Sequence, residues 1–182
     1  FHSLHALGAW DADKRGVNML DGGAHFYDTY ACADGEYIAV GAIEAQFYAE
    51  LCRLAELPAD TFGDQNDAAS WPIMSEQLAR VFLQKPRDAW CALFEGSDAC
   101  VAPVLRFTEA PAHPANRERE VYIEVDGVVQ PAPAPRFGRT PSRVAHTAHA
   151  AGEDTHAILA AMGFGEDEID ALQRSGAVVA ET

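Results

Sequence analysis

The chain has 182 residues, 48% apolar and 23% charged, with a formal net charge of −15, enough for one ordinary domain or a small domain plus part of another. With 13 Lys and Arg against 28 Asp and Glu, no basic stripe is available, which argues against nucleic acid and anionic membrane surfaces as partners. The same acidity implies that the phosphate cradle of any anionic coenzyme lies elsewhere.

Cys32, Cys52, Cys91 and Cys100 contain no CxxC pair, so neither a zinc site nor a redox motif is indicated and reduced thiols are expected. No apolar run approaches a membrane span and no charged-then-apolar leader is present, so a cytoplasmic protein is expected. The chain opens on Phe1 and reads as a piece of something longer; residues 1–17 show no clear cap or period.

Residues 25–43, HFYDTYACADGEYIAVGAI, form two β-rich arms around Asp34-Gly35, a turn pair suited to a hairpin because the turn needs positive φ. On a two-residue alternation, His25 and Tyr27 share a face of the first arm. Residues 45–57 change period: Phe47, Leu51 and Leu54 form one stripe with Glu50, Arg53 and Glu56 off it, predicting a helix that Pro58 stops. A second helix is predicted over 68–84, with Pro72 in its first turn, and a third over 87–94.

Residues 100–105 read as a strand that Pro103 places at an edge or bulge. A second hairpin over 121–129 turns at Asp126-Gly127, and Pro131, Pro133, Pro135 and Pro141 then predict an extended, polyproline-like connector. Two short helices over 154–162 and 166–174 form a helical hairpin.

Glu44 stands where the second arm of the first hairpin meets the helix that follows. A helix N-terminus favours an ionised carboxylate there, and an acid in a first helical turn is also an ordinary structural feature. His25 is either an acid/base near Glu44 or a half-exposed strand residue. His146, His149 and His156 straddle a loop and a helix without HExxH or cysteine spacing, so no metal is expected. No Gly-rich phosphate loop, GxSxG elbow or P-loop lysine occurs. Spacing alone leads to an α+β domain with an exposed acid at a hairpin-to-helix junction.

The run from Asn18, NMLDGGAHFYDTYACADGEYIAVGAIEAQFYAEL, resembles the signature of the α-methylacyl-CoA racemases within the family III CoA-transferase group. HPANRER, VYIEVDGVVQPAPAPRFGRTP and GEDTHAILAAMGF are similar to the C-terminal half of that group. The resemblance implies an α+β fold in which a small domain of hairpins and helices interrupts a Rossmann-like large domain, with two chains threaded into an interlocked homodimer. Residues 1–19 would be a linker, 20–106 the small domain, 107–150 a returning linker with hairpin and Pro-rich connector, and 151–182 terminal helices of an incomplete large domain.

The Glu of the family's GAIEPQFY motif is matched by Glu44, with Ala45 where proline is usual. In the family that Glu supports a catalytic histidine, the two acting opposite an Asp; the His and Asp belong to the N-terminal half, outside this sequence. Met19, Leu20, Tyr27 and Ile43 fall on positions bordering the acyl group, and His25 on one that is not catalytic. The implied reaction is epimerisation of 2-methyl-branched acyl-CoA thioesters, with CoA as part of the substrate and no further cofactor. A CoA-transferase and a non-catalytic docking fragment are the rival readings.

Overall fold

A computed structural model describes residues 1–144 and 146–179 and divides the chain into two compact units, Phe1–Arg106 and a second from Phe107 onward. The first unit opens with a short helix α1 (His2–Ala6), in a stretch where the sequence shows no period. An antiparallel sheet follows, built from β1 (Tyr27–Ala31), β2 (Tyr37–Gly41) and β3 (Val101–Val104) in the order β1-β2-β3. Between β2 and β3 the chain forms α2 (Ala45–Leu54), α3 (Ala59–Phe62), α4 (Trp71–Phe82) and α5 (Arg87–Phe94).

The two-residue alternation sorts the sheet into faces. Tyr30, Ile38 and Val40 turn inward and are buried, whereas Tyr27, Thr29, Tyr37, Ala102 and Val104 are exposed on the other face. The helices pack on the inner face through stripes at helical spacing: Tyr48 and Leu51 from α2, Trp71, Met74, Leu78 and Phe82 from α4, Trp90 and Phe94 from α5. Aromatic rings link them, with Tyr30 stacked on Phe82 at 5.3 Å and Phe82 edge-on to Trp90 at 5.1 Å. Each such side chain, fully buried, contributes roughly 1.5–3 kcal/mol. This unit therefore holds a core of its own.

Two sequence expectations are corrected in detail. The helix of 45–57 ends at Leu54, because Glu56 takes a left-handed φ of 53° and ends the turn; Pro58 instead opens α3. His25 does not share a face with Tyr27. The strand starts only at Tyr27, whose N–H bonds the Ala24 carbonyl in a turn, so His25 is buried while Tyr27 is exposed.

Long-range polar contacts fix this unit. Arg87, nearly buried at the start of α5, donates from Nη1 to the Val104 carbonyl at 3.2 Å and faces Glu36 at 3.7 Å, while its backbone N–H meets Asp34 Oδ2 at 3.0 Å. One side chain thus joins α5, β3 and the segment leading into β2.

The second unit contains a 3₁₀ turn (Ala110–Ala112), α6 (Pro114–Glu118), a hairpin of β4 (Tyr122–Val125) and β5 (Val128–Pro131), then α7 (Thr155–Ala161) and α8 (Glu166–Arg174). Pro131, expected in the connector, is a strand residue paired with Tyr122. Glu166, Asp167 and Glu168 open α8, and Glu168 Oε2 accepts from the Gly165 N–H at 2.8 Å. Within α7 and α8 the sole buried residue is Ile169. Among the described residues, no helix is long and apolar enough to cross a membrane.

Candidate functional site

Glu44 is the N-cap residue of α2, in extended conformation with φ −75° and ψ 142°. Its backbone carbonyl accepts from the Phe47 and Tyr48 N–H groups at 3.0 Å each, but its side chain makes no cap bond and is exposed. The backbone of Glu44 is therefore anchored while its carboxylate is not consumed by the helix. Nearby, Cys100 takes a left-handed φ of 53°; partial burial, then the charges of Glu44 and Asp98, hold its thiol above the usual thiol range.

Beside this junction the outer face of the sheet is shallow, because Ala39, Gly41 and Ala102 carry little or no side chain. Together with Tyr27, Thr29, Cys100, Asp21 and Gly22 they line a depression of about 480 Å³. Such a surface of small residues admits a flat or chain-like group and offers it the Tyr27 side chain.

The loop carrying Met19 and Leu20 is tied by Asn18, which is 6% exposed. Its N–H and Nδ2 donate to the Asp21 carboxylate at 2.7 Å each, Nδ2 donates to the Asp11 carbonyl at 3.1 Å, and Oδ1 accepts from the Asp11 N–H at 2.7 Å. These bonds to Asn18, more than any other influence, lower the Asp21 pKa. Gly23 closes the loop, where a Cβ would stand 2.4 Å from the Val17 carbonyl carbon.

Of the sequence-expected site residues, Tyr27 lines the depression, whereas Met19, Leu20, Ile43 and Glu44 are not among its lining residues. Met19 is exposed, Leu20 is half-buried, and Ile43 packs on the core just before Glu44. His25 has no exposed surface. Tyr48 Oη donates to the Phe62 carbonyl at 3.0 Å, so it accepts from His25 Nε2–H at 2.8 Å and leaves Nδ1 unprotonated, with no partner among the described residues. Burial lowers the His25 pKa to about 4 and raises that of the Tyr48 phenol. His25 is a neutral core residue.

Asn18, Gln65 and Arg87 were not legible as site or framework residues. Gln65 in particular donates from Nε2 to the carbonyls of Ala42 and Ile43, at 3.0 and 2.8 Å, immediately before Glu44.

His149 pairs with Asp154, which raises its pKa, and His156 Nε2 with Glu166 at 2.7 Å. Among the described residues no group of three or more His, Cys, Asp or Glu is placed to share a metal ion. The second unit has its own depression of about 490 Å³, lined by Ile123, Val125, Pro133, Phe137, Arg136 and Arg143 among others.

Residues 3–155 match the profile described as CoA-transferase family III. The chain belongs to this family. It is 46% identical over 166 residues to the Mus musculus α-methylacyl-CoA racemase and 45% over 165 residues to that of Homo sapiens, each alignment covering 90% of this chain and 43% of the relative. A Caenorhabditis elegans CaiB/BaiF CoA-transferase family protein is 31% identical over 119 residues, 65% of this chain and 33% of that protein. The chain thus spans less than half the length of these relatives.

Among solved structures, a CaiB/BaiF family protein from Brucella suis is similar with a TM-score of 0.64 at 18% identity, over 88% of this chain and 43% of that one. A hypothetical protein from Mycobacterium tuberculosis is similar with a TM-score of 0.58 at 20% identity, over 74% and 39%. At these identities the likeness shows the α+β fold of the family alone.

Proposed function

We propose that this chain is the part of an acyl-CoA epimerising enzyme that supplies one acid/base carboxylate, Glu44. The whole protein would act on 2-methyl-branched acyl-CoA thioesters. The observation that carries this reading is the exposed, uncommitted Glu44 side chain on a rigid strand-to-helix junction, in a chain 45–46% identical to proteins named α-methylacyl-CoA racemase.

Epimerisation takes the proton from Cα, leaves the electron pair on the thioester as an enolate, and returns a proton to the opposite face. Two acid/base groups must flank one carbon, and the enolate oxygen needs hydrogen bonds in a water-poor pocket. Glu44 supports a histidine from the rest of the protein, stabilising the imidazolium that forms when that ring takes the proton; an Asp serves the other face. Met19, Leu20, Tyr27 and Ile43 border the acyl chain, which needs apolar surface and, in Met, an adaptable one. The thioester activates its own α-proton, so neither metal nor redox cofactor is required.

In this reading the first unit is the small domain, the second returns to a Rossmann-like large domain, and two full-length chains interlock in the cytoplasm. The C. elegans relative's name favours a second reading, CoA transfer between carboxylic acids through a carboxylate nucleophile.

The deciding experiment is Glu44→Gln in a protein of the relatives' full length, with α-proton exchange and melting temperature measured together. Loss of a general acid/base contribution lowers exchange by up to about 10²–10⁴-fold at unchanged substrate affinity. Unchanged exchange, with a stability cost of at most about 1 kcal/mol from the lost helix-terminus charge, removes Glu44 from the site. CoA transfer without α-proton exchange in the parent protein selects the second reading.

A further inference from the structure

The structure assigns to Gln65 the role of positioning residue for Glu44: its backbone is braced by Trp71, and its side-chain amide clamps the two peptide carbonyls that precede Glu44 and fixes the backbone from which that carboxylate projects. The inference rests on the reading of Glu44 as an acid/base partner.

Gln65 lies in the loop between α3 and α4, 21 positions after Glu44, and is 8% exposed. Both amide hydrogens of Nε2 are donated, to the Ala42 carbonyl at 3.0 Å and to the Ile43 carbonyl at 2.8 Å. The orientation of the amide follows from its partners, since the flipped form would set Oε1 against two carbonyl oxygens. The backbone carbonyl of Gln65 accepts from Trp71 Nε1–H at 2.9 Å. Trp71 packs edge-on to Phe26 with ring centroids 5.8 Å apart, and the Phe26 carbonyl accepts from the Ala42 N–H at 3.0 Å.

These contacts close a ring through Phe26, Ala42, Gln65 and Trp71, drawn from three separate parts of the chain. Ile43 is bonded on both sides of its own residue, its N–H reaching back to the Gly41 carbonyl at 3.0 Å and its carbonyl accepting from Gln65. On its other side, Glu44 is anchored by the first turn of α2. The backbone of the carboxylate is thus fixed from both directions while the side chain makes no cap bond. A structural glutamine needs only to satisfy buried carbonyls anywhere in the core. Here both carbonyls belong to the dipeptide entering the candidate catalytic residue, where an error of about 1 Å can cost on the order of 10²-fold in rate.

The test uses a protein of the relatives' full length. Gln65→Met keeps the volume and removes both donors; Trp71→Phe keeps the aromatic packing and removes the brace. The expected result is a fall in kcat for α-proton exchange of about 10–100-fold for Gln65→Met, smaller for Trp71→Phe, with KM nearly unchanged. Leu78→Ala, which empties core space on α4, serves as a control for destabilisation alone and should lower melting temperature without that fall. Combined with Glu44→Gln, Gln65→Met should cost little more than Glu44→Gln by itself, because the clamp acts through that carboxylate.

Full kcat in Gln65→Met, or losses that multiply in the double variant, overturns the assignment while leaving Glu44 in the site. If Gln65→Met does not fold, Trp71→Phe decides the matter by the same two readouts. An inert Glu44→Gln removes the underlying reading, and the positioning role with it.

Discussion

His25 should make the stability of this chain depend on pH in a range where most carboxylates are still ionised. Its pKa falls from the usual 6.5 to about 4 on folding, because the ring is buried. Between those values the unfolded chain binds a proton that the folded chain does not, so stability falls as pH falls. The contribution is fully present above about pH 7, is reduced by roughly 2–3 kcal/mol at pH 4.5, and is lost almost entirely below pH 4. The perturbation that isolates it is His25→Gln, which keeps a donor near Tyr48 and does not titrate. Urea unfolding of both proteins at pH 7.5, 5.5 and 4.5 gives the difference in stability, from which the carboxylates common to both cancel. The original chain should lose roughly 2–3 kcal/mol relative to the variant between the first and last pH. A difference that stays constant with pH would mean that the folded ring titrates normally, and the buried, neutral assignment would be wrong.

Other expectations are local. Asn18→Ala should destabilise the first unit by about 1–3 kcal/mol, since it removes the Nδ2 bond to Asp21 and leaves the Asp11 N–H and carbonyl without their side-chain partner, and hydrogen exchange should rise around residues 17–23. Gly23→Ala forces backbone apart at a 2.4 Å contact and should cost about 1–3 kcal/mol by denaturant unfolding. Ile169→Ala should cost about 2–5 kcal/mol where the second unit can be resolved as a separate transition, without moving that of the first. In exchange experiments on the unmodified chain, α4 and α5 should be protected and α7 labile, because α7 buries no residue. The chain by itself should catalyse no α-proton exchange of a 2-methylacyl-CoA, and deuterium incorporation above background would contradict the assignment of the partner His to another part of the protein.

What could be read from sequence was what repeats locally. The Asp34-Gly35 turn, the stripe of α4, Pro72 in its first turn and Pro103 at a sheet edge all follow from spacing between neighbours. Tyr48 escaped notice because a phenol is not counted in an apolar stripe, although it is buried and anchors α2 to Phe62. Gln65 and Arg87 escaped because their partners lie 17 to 53 positions away, and no periodicity records such distances. His25 departs from alternation for a different reason: it lies two residues before the start of β1, in a turn where a two-residue period does not apply. Glu44 is visible as an acid at a junction, but that its side chain makes no cap bond is not, since spacing does not record which way a side chain turns.

Pro103 has a consequence for how the sheet can grow. The Gly41 N–H bonds the Cys100 carbonyl, so Gly41 and Cys100 face each other as a bonded pair and Ile38 and Pro103, three steps along, do not. The nitrogen of Pro103 therefore points away from β2, toward the open side of β3, where it has no hydrogen to give. A further strand laid along that side would meet a gap in the ladder at its centre. The sheet is closed to lateral extension there, so a segment that covers Tyr27, Thr29 and Ala39 must descend onto the open face instead of adding to this edge.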